Sequence, residues 1–245
     1  MSDLGFGVRR MSQHTVWRHH FDEGSGSFLD VSGNGFDVVP QAGAVNPYAN
    51  AGWLTTDAVT DGRADIDLSG VAAPLWDLRY DVAIWSVRLI ASALAAVQNL
   101  AGNYDASTQG FGSRVASNDL ITVQVNRGSL QDYAMVGQTV GSAQHVLAII
   151  DGPAQLLSAW VDGANIRNED DISAAGSGSG WGGGAWSFGS RNGAGASFGA
   201  QFQAEQLIVI RGTAGDPAAP PRRLAELARM LNANPYYPIS DADLD

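Results

Sequence analysis

The sequence predicts an all-β fold, two antiparallel sheets packed face to face around one core, and three observations lead there. Short segments alternating apolar and polar residues recur along the chain, each ended by a cluster of glycine, serine, asparagine or aspartate. That is the pattern of strands joined by tight turns. Asp162-Gly163, directly after LLSAWV, supplies the left-handed backbone that a two-residue hairpin demands. Only one stretch carries helical periodicity. A chain of 245 residues, 45% apolar and 16% charged, has material for one large core and is not a disordered composition.

Taken in order, HTVWRHHF (14–21) sets Val16, Arg18 and His20 against Trp17, His19 and Phe21, a strand with two unlike faces. RADIDL (63–68) puts Ala64, Ile66 and Leu68 on one face and Arg63, Asp65 and Asp67 on the other. YDVAIWSVRLI (80–90) is apolar almost throughout, the signature of a central strand covered on both sides. LITVQVNRG (120–128), QHVLAIID (144–151), LLSAWVDG (156–163) and EQLIVIRG (205–212) complete the strand set. NEDD (168–171) reads as loop, and GSGSGWGGGAW (176–186) reads as a flexible loop carrying two tryptophans. Between 216 and 235, prolines precede Leu224, Leu227, Ala228 and Leu231 at helical spacing, and Asn-Pro follows them, which predicts one amphipathic helix. The division expected is an arm over 1–13, the sandwich over 14–215, and a helix with a docking tail over 216–245.

Charge and composition narrow the partners. Fourteen basic residues, all arginine, face 25 acidic ones, giving a net charge of −11 that repels nucleic acid. Without cysteine there is neither a disulfide nor a thiolate metal site. No apolar stretch approaches the ~20 residues that span a bilayer, so membrane insertion is not expected. The opening MSDLGFGVRRMSQ lacks the apolar region of a secretory signal.

The segment HHFDEGSGSFLDVSGNGFDV resembles the first hairpin of laminin-G-like, concanavalin-A-like jelly-roll domains, through Phe21, Asp22, Gly24, Ser25, Gly26, Asp30, Ser32, Gly33, Asn34 and Gly35. YDVAIWSVRL is similar to that family's apolar central strand, HVLAIIDGPAQLLSAWVDGANI to its strand pair with an Asp-Gly hairpin, and FQAEQLIVIRG to its last strand. Together these cover roughly residues 14 to 212. The resemblance implies a jelly roll with a structural Ca2+ ligated by Asp30, Asn34 and Glu205, the last standing where the family has aspartate. Ca2+ takes six to eight oxygens, which a glycine-rich turn can supply. The competing reading is that Asp30 and Asn34 form ordinary side-chain-to-backbone turns.

Relatives of this fold cleave glycans with two carboxylates held about 5 to 10 Å apart. Asp65 and Asp67 have suitable spacing on a strand but lack a third acid and an aromatic flank, and His19 and His20, being adjacent, point to opposite faces. The expectation is therefore binding without catalysis, with a carbohydrate-binding module and a glycan hydrolase as the alternatives. Trp53, Trp76, Trp181 and Trp186 lie in or near loop-like segments, and Trp181 with Trp186 in the glycine-rich loop are the ligand-binding candidates. The closing helix and NPYY resemble the ends of phage virion proteins, which implies a head-decoration or tail-associated virion component serving host-surface attachment or particle stabilisation, with capsid or tail proteins as partners and homo-oligomeric assembly; the tryptophans point to a host-surface glycan as ligand. Tyr236, Tyr237 and Ile239 are the expected docking residues of that tail.

Overall fold

The structure, a computed structural model, describes residues 14–41, 46–56, 62–91, 98–103, 109–116, 120–135, 141–190, 200–211 and 224–244. It is an all-β sandwich of two antiparallel seven-stranded sheets with helices after the last strand. The expected N-terminal arm, 1–13, lies outside the described residues.

The first sheet is built on β5 (Asp81–Ala91), the long apolar strand anticipated from sequence. On one side it pairs with β10 (Gln144–Asp151), then β11 (Leu156–Val161) and β12 (Ala164–Asp171). On the other side lies β14 (Ala200–Arg211), which also pairs with β1 (Thr15–His19) and with the short β3 (Leu54–Thr55). The second sheet runs β2 (Val39–Pro40), β4 (Ala64–Asp67), β13 (Ala185–Phe188), β6 (Gln98–Gly102), β7 (Gly110–Val115), β8 (Ile121–Asn126) and β9 (Leu130–Ala134). NEDD, expected in a loop, belongs to β12 and pairs with Leu156 and Leu157. The β11–β12 hairpin does turn on Asp162 and Gly163, at φ 49° and 77°, and the Asp162 carboxylate accepts the backbone N–H of His145 at 2.9 Å.

Between the sheets lies an aromatic core. Trp17, Trp76, Trp85, Trp186, Phe21, Phe28, Phe111, Phe188 and Phe202 are all fully buried there. Their rings meet edge-on, with Trp17 at 5.3 Å from Trp186 and Phe21 at 5.5 Å from Phe188, the arrangement that sets a positive ring edge against a negative face. Truncating one such ring to alanine costs about 3–5 kcal/mol.

A second apolar layer covers the outer face of the first sheet. Val82, Ile84, Leu147, Ile149 and Trp160 point outward and are capped by Leu227, Ala228 and Leu231 of α1 (Leu224–Ala233) and by Ile239. This explains why β5 is apolar on both faces. The helix therefore lies across the face of this sheet.

Candidate binding site

The acidic hairpin between β1 and β2 is organised by Asp30. Its Oδ1 accepts the backbone N–H groups of Arg18 (3.0 Å) and Ser32 (2.9 Å), and its Oδ2 accepts that of Phe36 (3.1 Å). Asn34 spends its amide on the carbonyls of Thr15 (2.8 Å) and Val16 (3.0 Å). Gly33 and Gly35 take the positive φ that the turn requires. N–H donors thus occupy the lone pairs that a cation would need, and carbonyls that could ligate one are bonded to Asn34. Glu205 is fully buried between the sheets, with its Oε1 given to the Trp85 indole. Among the described residues no three His, Asp or Glu side chains are grouped for a metal ion. Asp30, Asn34 and Glu205 fit turn chemistry and a buried acid, and do not fit one calcium site.

Glu205 sits directly across the β1–β14 ladder from His19. Its Oε1 accepts the Trp85 indole N–H at 2.5 Å. Burial pushes its carboxyl up to about 8, with the Trp85 and Trp186 indoles pulling the other way. Burial likewise pulls His19 down to about 4, against the opposing influence of the Phe36 carbonyl, Asp30 and Asp37. Its Nε2 lies 2.8 Å from that carbonyl, and its ring stacks on Phe21. Both groups are therefore uncharged at neutral pH, which is how an acid and an imidazole are tolerated in an aromatic core. His20, on the opposite face as expected, meets Tyr236 edge-on at 4.7 Å.

The glycine-rich loop is fixed, contrary to the flexible reading. The Gly180 carbonyl accepts the Trp76 indole N–H at 2.7 Å, and its own N–H donates to Gln109 Oε1 at 3.0 Å. Ser179 receives the Leu78 N–H at 2.7 Å. Arg127 donates from Nε to the Gly178 carbonyl at 3.0 Å and from Nη1 to the Gly152 carbonyl at 3.1 Å. Only glycine serves at 180, where φ is +66° and a Cβ would lie 2.5 Å from the Leu78 side chain.

This loop holds Trp181 half-buried, edge-on to Trp76 at 4.5 Å. Trp186, the other candidate, is fully buried in the core, as is Trp76. The alternation of Trp186 and Phe188 with Ala185 and Ser187 is the strand signal that could have placed it inside. Beside the loop, in the turn that enters β5, Tyr80 is 58% exposed, a residue the sequence reading passed over. Arg79 lies over its ring at 5.4 Å and forks onto Asp77, with Nε 2.9 Å from Oδ1 and Nη2 2.6 Å from Oδ2. Trp181 and Tyr80 are thus two partly exposed aromatic rings on segments that Leu78 and Ser179 join, Tyr80 with planar polar groups alongside.

The acid pair examined for catalysis is engaged locally. Asp65 forms an ion pair with Arg63 at 3.0 Å, and exposed Asp67 caps the Ser69 N–H at 2.8 Å. In the tail, Ile239 is fully buried against the first sheet and Tyr237 packs partly against that cluster. The Pro235 carbonyl receives Arg18 Nη2 at 3.5 Å. These residues cover the chain's own sheet, so Tyr237 and Ile239 do not offer a free docking surface; Tyr236, half-buried, lies on His20.

Neither a protein-family model nor a curated protein sequence matches the chain. Among solved structures it is similar to the binding domain of botulinum neurotoxin serotype D, with a TM-score of 0.60 and 8% identity over 84% of this chain and 51% of that one. It is similar also to Trypanosoma rangeli sialidase in complex with 2,3-difluorosialic acid, at 0.64 and 12% over 94% of this chain and 34% of that one. A third likeness is the binding domain of botulinum neurotoxin DC in complex with rat synaptotagmin II, at 0.56 and 10% over 91% and 52%. The chain spans about half the length of the neurotoxin domains and about a third of the sialidase. At such identities the shared property is the β-sandwich fold.

Proposed function

We propose that the chain is a non-catalytic binding sandwich of the laminin-G-like, jelly-roll kind, displayed on a phage particle to attach it to a host-surface glycan. The observation that carries this reading is the hydrogen-bonded glycine-rich loop, which holds Trp181 half-buried against Trp76 and is bonded through Ser179 to Leu78, in the turn that also carries Tyr80, Arg79 and Asp77. Sugar rings pack their C–H faces on aromatic rings while planar polar groups take the hydroxyls, and a fixed loop does so without an ordering cost. Solved proteins of this fold that bind receptors or sugars, a toxin domain in complex with synaptotagmin II and a sialidase in complex with sialic acid, are consistent with it. The local engagement of Asp65 and Asp67 supports binding without cleavage, since glycosidic cleavage uses a raised acid opposite a second carboxylate. The resemblance of the helix and NPYY segment to phage virion proteins supports the virion setting, with capsid or tail proteins as neighbours and many copies multiplying a weak single-site affinity.

The test is to incubate the purified protein with host-envelope polysaccharide and measure both retention and new reducing ends. Retention without cleavage is expected, with Trp181→Ala weakening it about tenfold, equivalent to about 1.4 kcal/mol. Reducing ends that disappear in an Asp65→Asn/Asp67→Asn double variant would overturn the reading in favour of hydrolysis.

A further inference from the structure

On the outer face of the first sheet, beneath the C-terminal tail, polar side chains form a buried line. Arg18 pairs in register with Gln206, and Gln206 pairs with Ser86. Ser86 Oγ in turn lies 2.9 Å from His145 Nε2 on the next strand. Arg18 is 3% exposed and Gln206 2%. The guanidinium has one long bond, Nη2 to the Pro235 carbonyl at 3.5 Å, and its Nε–H meets no acceptor. Neither Oε1 nor Nε2 of Gln206 has a partner, and Nδ1 of His145 and Nε2 of His20 have none.

Among the described residues no carboxylate is found to compensate this charge. Burial pulls Arg18 down to about 10, with only the Tyr236 hydroxyl acting to raise it, so it stays cationic at neutral pH. Arg88, whose charge opposes protonation of His145, adds positive potential along the same face. Asp162, at the far end, is spent on the His145 N–H and on Gln144. Asp22 and Glu23 act on His20 from the neighbouring loop. Arg127 offers a contrast, since its buried fork is satisfied by two carbonyls with Asp77 nearby.

A buried cation with an unmet N–H is costly, and a pair of unmet amide atoms beside it adds to that cost. Such an arrangement is favourable when a counter-ion completes it. We propose that Arg18 and Gln206 bind a small carboxylate anion beneath the C-terminal tail. The unmet Nε–H and the adjacent Nη2–H form the side-on fork that fits a two-oxygen anion, and the Gln206 amide N–H supplies a further donor. Because the chain's own tail closes over the site, the occupant is a free small anion rather than a side chain of another protein. Its binding fastens Pro235, and with it the tail, to β1.

The experiment measures the melting temperature of the full chain while sodium acetate replaces sodium chloride at constant ionic strength. Wild type should rise saturably with acetate, because a ligand bound only by the folded state stabilises it. Arg18→Met, which keeps the apolar stem and removes the fork, should be flat. Gln206→Glu, which places a carboxylate beside Arg18, should also be flat and melt at or above the wild-type plateau. A flat wild-type curve would overturn the proposal, as would an acetate response retained in Gln206→Glu. Should Arg18→Met fail to fold, wild type against Gln206→Glu decides alone.

Discussion

Glu205 and His19 oppose each other inside the core without charge, and this makes the fold's stability depend on pH from both directions. Glu205 titrates at about 8 in the folded chain against an ordinary 4.5. Its contribution is complete below the ordinary value and is lost as pH rises through about 8. His19 and buried His145 titrate at about 4 against an ordinary 6.5. Their contribution is complete above 6.5 and is lost as pH falls through about 4. From 6.5 up to 8 only the glutamate acts, and below 6.5 the two imidazoles outweigh it. The melting temperature should therefore peak near pH 6.5, as read by thermal denaturation across the range. Glu205→Gln retains a carbonyl for the Trp85 indole and cannot ionise, so its melting temperature should hold level between pH 6.5 and 8 while wild type declines. A wild-type decline that persists unchanged in the variant would mean that another group is responsible.

At the scale of elements, the first hairpin shows how one carboxylate can organise a loop. Asp30 collects three backbone N–H groups, one buried and two part-buried, and each buried donor left orphaned costs about 1–3 kcal/mol. Asp30→Ala should lower the melting temperature by several degrees, equally with and without a calcium chelator, and the chelator alone should leave wild type unchanged. A chelator effect in wild type that vanishes in Asp30→Ala would restore the cation. This hairpin was legible as a turn in the sequence because glycine, serine and asparagine act through their own backbone. Strands β1, β4, β5, β8, β10, β11 and β14 were legible because their inward residues are apolar and alternate. Strands such as β6 (QNLAG), β7 (GFGSRV) and β12 (ANIRNEDD) carry glycine or polar residues at most positions, so they are defined by their neighbours' hydrogen bonds rather than by their own pattern. Tyr80 and Arg79 escaped notice for a related reason: their turn is tied to the glycine-rich loop only through the bond of Leu78 to Ser179, a hundred residues on.

Over the whole molecule, the outer apolar layer decides what the C-terminal segment is for. Val82, Ile84, Leu147, Ile149 and Trp160 would face water without α1 and Ile239, a patch of the kind that drives aggregation. Deleting 232–245 should lower the melting temperature markedly and raise light scattering; an unchanged melting temperature would return the tail to a docking role. The sequence could show the helix's apolar stripe but not which surface receives it, since a strand apolar on both faces does not say what covers each. The pairing of β14 between β1 and β5 has a further consequence, one of timing during synthesis. A ribosome adding about 5–20 residues per second finishes β1 and β5 long before the strand that joins them is made. Until residues 200–211 emerge, both strands hold open edges able to template pairing with another nascent chain. Folding of the first sheet is then gated by chain completion, and such long-range closure is slow. Chains stalled on the ribosome before Ala200 should be digested readily by protease, whereas chains stalled with Arg211 well clear of the exit tunnel should show the resistance of the finished sandwich.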